Sequence, residues 1–171
     1  MQNAKFMVLK GIEVDIKADG SLDLDKKVLE KLDVVVGAVH SKFNMSEDEM
    51  TNRLIKAIES GIVNIIAHPT GRLLGRRDPY EIDLDKVFEA AKDTKTVMEV
   101  NADPYRMDLK DSHARAAIKA GVKLVISTDS HSAEQMSFMK LGIGIARRGW
   151  AAKDDIINTR SLKDMLRMLK H

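Results

Sequence analysis

Two spacings of apolar residues alternate along this chain, and each change from one to the other predicts an element. Residues 6–16 form a largely apolar run in which Glu13 and Asp15 stand two apart, so it reads as a strand with both carboxylates on one face. A turn at Asp19, Gly20 and Ser21 follows, then a helix over 23–32 with Leu24, Val28 and Leu32 on its stripe. Residues 34–39 are continuously apolar, as in a strand buried on both faces of a parallel sheet, and the run ends at His40. Ser46 and Glu49 make a capping box that opens a helix to about residue 59, with Gly61 beyond its end.

The same alternation continues. Residues 62–67 predict a third strand ending in His68, which Pro69 should hold extended, because proline disfavours helical backbone at the residue before it. A loop over 70–80 precedes a helix over 83–92 that turns Leu84, Val87, Phe88 and Ala91 inward. A fourth strand over 96–100 leads to Asn101 and Asp103, and a helix over 111–120 stops at Gly121. A fifth strand over 123–128 ends in Asp129, Ser130 and His131. The pattern then predicts a short helix over 134–140, a last strand over 143–146 and a closing helix over 161–169.

Polar strand ends at Glu13, His40, His68, Asn101 and Asp129 recur about every 30 residues, the length of one βα unit. A parallel α/β barrel is preferred over a doubly wound nucleotide binder: no glycine-rich turn follows the first strand, and Gly71 to Gly75 lacks the Gly-Lys-Ser/Thr ending of a phosphate loop.

Composition narrows the chemistry. The 171 residues, 44% hydrophobic and 32% charged, suit one domain over 1–171. Twenty-eight basic residues nearly balance 26 acidic ones, which gives no support to a sequence-reading DNA binder or a membrane-surface protein. With no cysteine, disulfides, thiolate metal sites and cysteine nucleophiles are excluded. No apolar run reaches the length of a membrane span and no signal peptide is evident, so the cytoplasm is the expected compartment.

His40, His68 and His131 lie at strand ends together with Glu13 and Asp129, and a barrel would bring all five to one mouth. His113, within a helix, and His171 read as solvated. Histidine and carboxylate ligands without cysteine suit a hydrolytic metal site, in which a metal acidifies water and polarises a phosphoryl or carbonyl oxygen. Alternatives stay open at each position: Glu13 and Asp15 also fit a solvated edge strand, and Asp129 a turn that caps the next helix. Arg72, Arg76, Arg77, Arg106, Arg147 and Arg148 all fall in loops expected after strands. Their guanidinium forks suit phosphate binding, although loop arginines are commonly just solvated.

The segments Gly11-Ile12-Glu13, Val39-His40-Ser41, Ala67-His68-Pro69-Thr70-Gly71-Arg72, Glu99-Val100-Asn101-Ala102 and Thr128-Asp129-Ser130-His131, with Ala146-Arg147-Arg148-Gly149-Trp150 after them, carry a resemblance over essentially the whole chain. In this order they resemble the polymerase and histidinol phosphatase (PHP) domain, most of all the one at the C-terminus of bacterial and archaeal family X DNA polymerases. The resemblance implies a distorted seven-stranded TIM-like βα barrel that holds up to three manganese or zinc ions and hydrolyses phosphoesters. In polymerase-linked members it implies a 3′-5′ exonuclease that also acts on abasic or blocked DNA ends. Carried over by motif, Glu13 bridges two metals, His40 and His68 complete one of them, Asp129 serves a second and His131 a third. Asn101 joins the six arginines as a candidate substrate contact.

One departure qualifies that picture. The family's first motif, a His-x-His, and a further histidine after it have no counterpart here. The expectation is therefore an incomplete barrel lacking its first βα units, whose partners are the missing N-terminal PHP and polymerase segment, DNA 3′ ends, or a second copy docked on the open barrel edge. The Glu13, His40 and His68 site should survive, Asp129 should lack its histidine partners, and activity should be weak or absent. Two alternatives remain: a non-catalytic metal- or DNA-binding fragment, and a small-molecule phosphomonoesterase of the histidinol phosphatase type.

Overall fold

The computed structural model describes residues 7–169; Phe6, at the start of the first expected strand, and His171 lie outside the described residues. Five strands, β1 (Gly11–Asp15), β2 (Val34–Ala38), β3 (Ile65–Ile66), β4 (Val97–Asn101) and β5 (Leu124–Ser127), pair in parallel in the order β1-β2-β3-β4-β5. Helices α1 (Lys26–Leu29), α2 (Glu47–Glu59), α3 (Leu84–Thr94) and α4 (Asp111–Ala120) connect them, and α5 (Met139–Arg148) and α6 (Leu162–Leu169) follow β5. Consecutive strand order winds the sheet in one direction, as barrels do, whereas a doubly wound sheet reverses. Among the described residues no helix is long and apolar enough to cross a membrane.

Strand alternation divides the sheet into two unlike faces. Register partners in parallel strands share a face, so Glu13, Val36, Ile65 and Val97 align across β1 to β4, and Glu99 aligns with Val125. Toward the N-terminal ends this face is apolar, and Val34, Val36, Ile65, Val97 and Val125 pack beneath Ile157 and Leu169. Toward the C-terminal ends it carries Glu13, Asp15, Glu99, Asn101 and Ser127. The opposite face presents Ile66, Met98, Val100, Leu124 and Ile126 to the buried stripes of α2, α3 and α4. One face is therefore core throughout, and the other changes from core to chemistry along β4 and β5.

Local signals set several boundaries as expected. Ser46 and Glu49 form a reciprocal capping box at the start of α2, the Ser46 N–H donating to the Glu49 carboxylate at 3.0 Å. Gly121 ends α4 in the left-handed region at φ 92°. Elsewhere the structure differs. The helix expected over 23–32 shrinks to α1, because the Asp23 carboxylate accepts the Asp15 N–H at 3.1 Å and Asp25 caps the helix instead. Leu29 is the buried residue there, and Val28 is 50% exposed.

The last expected strand, 143–146, is part of α5. Gly142, Ile145 and Ala146 are buried at helical spacing while Ile143 faces outward. A Cβ on Gly142 would stand 2.4 Å from Ile126 and 2.9 Å from Ala102, so glycine is what lets α5 lie against the ends of β4 and β5. Arg147 and Arg148 consequently sit at the end of a helix and not at a strand mouth, and Arg148 pairs with Asp111 of α4 at 2.8 Å.

His113 is half-buried in α4, not solvated. Burial first, then the positive charges of Lys110 and Arg72, push its imidazole down to about 4, with Asp111 opposing them. Between that value and the ordinary 6.5 the unfolded chain binds a proton that the folded chain does not, so stability rises with pH across this window. Denaturant unfolding across the window is expected to show a shallower pH dependence in His113→Gln than in the parent chain. Identical slopes would mean that the imidazole titrates as it does in water.

Candidate metal centre

Glu13, in the middle of β1 and not at its end, points at two imidazoles supplied by the residues that follow β2 and β3. Its Oε1 lies 2.9 Å from His40 Nε2 and 3.4 Å from His68 Nε2. The two rings are 5.4 Å apart between centroids. One ligand atom from each of the three residues lies within 4.8 Å of the other two, the one such group of histidines and acids among the described residues. His68 is buried, whereas Glu13 and His40 open to solvent, so the centre has a sealed side and an accessible side. Hydrogen bonds from His40 and His68 hold the Glu13 carboxyl far below the usual carboxylate range against the opposing effect of burial. The Glu13 contact chiefly raises the His40 pKa, with Asp15 adding to it.

These donors fit a divalent cation: two imidazole nitrogens and a carboxylate oxygen converge from three strands, and nothing softer is present. Asp15, two residues from Glu13 on the same face, receives His40 Nδ1 at 2.5 Å. With a cation bound, that contact would keep the proton on Nδ1 and leave the Nε2 lone pair for the metal, the arrangement by which carboxylates orient metal-binding histidines. Asp15→Asn would offer His40 an amide donor in place of the carboxylate and favour the wrong tautomer. It is expected to weaken metal binding by about 10–100-fold, measured by competition with a chelating dye. An unchanged affinity would reduce Asp15 to a surface partner.

His68 departs from its expected extended backbone and takes a φ of 31°. Its N–H donates to Glu99 Oε2 at 2.5 Å, which turns the residue so that its ring meets Glu13. The sequence pattern alone assigns Glu99 no role. It is buried, also receives the Ser127 hydroxyl and, at 3.3 Å, the Asn101 amide, and burial raises its pKa. An acidic residue inside an apolar strand was the available signal.

Asp129 and His131 stand apart from the three converging ligands. Asp129 takes a left-handed φ of 51°, and its Oδ2 receives Arg106 Nε at 3.2 Å and Asn101 Nδ2 at 3.3 Å. His131 is exposed, and its Nδ1 donates to the Asp129 carbonyl at 2.7 Å. Among the arginines, Arg72 binds the Arg106 carbonyl at 2.8 Å and also the Met107 carbonyl, tying two loops together. Arg77 donates to the Gly71 carbonyl at 2.8 Å and lies 3.8 Å over the Phe43 ring. Arg76 lies 5.2 Å from the centre of the Tyr105 ring, and Arg147 and Arg148 are carried away on α5.

The chain matches no protein-family model. It is 48% identical over 165 residues to the DNA polymerase/3′-5′ exonuclease PolX of Bacillus subtilis, an alignment that covers 96% of this chain and 29% of that protein. It is 31% identical over 162 residues to a probable phosphatase of Thermoanaerobacter sp. (strain X514), covering 89% of this chain and 64% of the relative. A probable phosphatase of Shewanella oneidensis is 30% identical over 175 residues, with 96% of this chain and 67% of that protein aligned. The chain thus spans less than a third of the Bacillus protein and about two thirds of the phosphatases. Parallel strands that deliver Glu13, His40 and His68 to one end of the sheet, and this degree of identity to PolX and the phosphatases, place the chain in the PHP domain family.

Proposed function

We propose that this chain is a metal-dependent phosphoesterase domain acting as the 3′-5′ exonuclease and DNA end-processing module of a family X polymerase. The observation that carries the proposal is the convergence of Glu13 Oε1, His40 Nε2 and His68 Nε2 at the polar end of the sheet. A bound manganese or zinc ion would supply Lewis acidity toward a phosphoryl oxygen and acidify a water. Glu13 contributes the anionic ligand atom, Asp15 fixes the His40 tautomer and Glu99 fixes the backbone of His68. Asp129, which Arg106 and Asn101 engage, and His131, whose ring bonds the Asp129 carbonyl, are proposed to serve further metals, and Arg72, Arg76, Arg77 and Arg106 to face substrate phosphates.

Incubation with manganese and a 3′-labelled single strand tests this. Release of mononucleotides that stops with chelator and in His40→Ala is the expected result. Binding without turnover would sink the catalytic reading in favour of a metal- or DNA-binding module. The naming of two relatives as probable phosphatases favours a second reading, a small-molecule phosphomonoesterase, and a chromogenic phosphomonoester assayed beside the oligonucleotide ranks the two.

We also propose that the five strands belong to a distorted seven-stranded PHP barrel, in which residues 156–158 already lie along the outer edge of β5 and a further strand joins at β1. Their consecutive parallel order supports this, and the β1 edge would otherwise be able to pair with a further PHP and polymerase segment or a second copy. Light scattering that shows a monomer at every concentration would exclude pairing between copies.

A further inference from the structure

Two loops at the chemical end of the sheet are built as one unit that the metal centre does not require. The first follows His68 and contains a tight turn in which Leu73 and Arg77 exchange backbone hydrogen bonds of 2.8 Å. The second follows β4 and carries Tyr105 and Arg106. The Leu74 N–H donates to the Tyr105 carbonyl at 2.6 Å, and Arg72 grips the carbonyls of Arg106 and Met107. Arg106 in turn pairs with Asp129 at 3.2 Å, which ties the unit to the strand ends around the metal centre.

This unit has two features that its internal bonding leaves unexplained. Tyr105 is 57% exposed, with the Arg76 guanidinium 5.2 Å from its ring centre, so a large aromatic face is held in water beside a cation. Next to it opens a cleft of about 520 Å³, lined by Arg72, Arg76, Arg77, Lys110 and His113, with Asp78 as its one acidic lining residue. Arg77 and His113 are pushed down chiefly by burial and only secondarily by neighbouring cations, Arg106 for the first and Lys110 and Arg72 for the second, so His113 is neutral near pH 7 and the cleft's charge rests on Arg72, Arg76, Arg77 and Lys110. Like charges gathered with so little compensation lose repulsion when an anion enters. A cationic groove beside an exposed ring is the combination that binds single strands, the groove tracking phosphates and the ring stacking a base.

We propose that the Tyr105 and Arg76 pair and the adjoining Arg/Lys cleft form a subsite for a single-stranded nucleic acid, one base stacking on Tyr105 while neighbouring phosphates occupy the cleft. The inference rests on the phosphoesterase reading for its place in catalysis and adds to it a structural reason for preferring a strand over a small phosphomonoester. A phosphomonoester has no second phosphate for the cleft and no adjoining base for the ring.

The test is fluorescence anisotropy of the metal-loaded protein with a labelled oligothymidine, with inorganic tripolyphosphate as a competitor that has charge and no base. Tyr105→Ala is expected to weaken oligothymidine binding about fivefold or more, with Tyr105→Phe restoring it, since stacking needs the ring and not the hydroxyl. The same variant should leave tripolyphosphate competition unaltered. Arg76→Ala and Lys110→Ala should weaken both ligands and flatten the salt dependence by about 0.7 in log–log slope for each phosphate that is no longer neutralised. Metal content equal to the parent protein establishes that each variant is folded.

Oligothymidine binding that ignores Tyr105, or that Phe fails to restore, overturns the base platform; binding that ignores Arg76 and Lys110 overturns the cleft. The two readings fail separately. Strand hydrolysis with Tyr105-independent binding removes the subsite alone, whereas Tyr105-dependent binding without hydrolysis of any phosphoester removes the catalytic function and leaves the subsite standing.

Discussion

Glu13→Gln is expected to lower metal affinity by more than about 100-fold, and phosphoesterase activity with it. Substitutions that disturb only the outer partners of metal ligands already cost about 10–100-fold, and Glu13 is the atom that both histidines face, at 2.9 and 3.4 Å. Glutamine keeps the size and removes the charge, so the centre keeps its two imidazoles and loses the anion that attracts a divalent cation. Loss of the contact that chiefly raises the His40 pKa eases deprotonation of that imidazole, which offsets only a small part of the lost anionic ligand. His68 is 1% exposed and its truncation would leave a cavity, whereas the Glu13 side chain is 39% exposed and its change should shift metal-free stability by no more than about 1 kcal/mol. Metal analysis after dialysis, paired with thermal unfolding of the metal-free form, is the measurement. A variant that retains the parent's metal stoichiometry and affinity would remove the centre described above.

The second large effect is expected at a residue with no ligand role. Arg53 of α2 is 2% exposed, and its guanidinium donates to the Ile16 carbonyl from Nε at 3.1 Å and from Nη2, and to the Ser41 carbonyl from Nη1 at 2.9 Å. Ile16 is the residue after Asp15, and Ser41 is the residue after His40. One buried side chain therefore fastens together the chain segments that carry Glu13, Asp15 and His40. Arg53→Ala strips the buried Ile16 carbonyl and the part-buried Ser41 carbonyl of charged donors and leaves a void, for an expected loss of about 3–5 kcal/mol. For a domain of this size that corresponds to a fall in melting temperature of about 10 °C. Arg53→Lys keeps the charge but cannot reach two carbonyls with a planar fork, so an intermediate loss is expected. Calorimetry of the three proteins, followed by metal titration of whichever remain folded, separates the effects. A melting temperature for Arg53→Ala within about 2 °C of the parent, less than 1 kcal/mol on the same scale, would refute the fastening role.

Arg53 also illustrates what a sequence conceals. On an amphipathic helix a basic residue reads as solvent-facing, and nothing local to α2 distinguishes Arg53 from Lys56, which stays on the surface with its amine on the Asp19 carbonyl at 2.7 Å. Glu99 was hidden for the converse reason. It sits in a strand whose five residues are all buried, and its partners arrive from His68 and Ser127, 31 and 28 positions away. Asp129 is similar: its place at a strand end was legible, but the Arg106 that engages it comes from another loop.

The sequence by itself determined the alternation of strand and helix, the capping box of α2, the bounds of α4 and the shared face of Glu13 and Asp15. Each of these follows from side-chain period or from bonds between residues a few positions apart. It also placed His40 and His68 at strand ends, and with them the ligand chemistry that the PHP resemblance names. Only the tertiary structure decided that residues 143–146 coil into α5, because their apolar pattern suits either period and the deciding contact, Gly142 against Ile126 and Ala102, lies across the fold. It likewise decided which imidazoles meet one carboxylate, which arginines bind loops to each other, and that Tyr105 stands exposed beside Arg76. These are distances between residues far apart in the chain, set by strand register and helix packing.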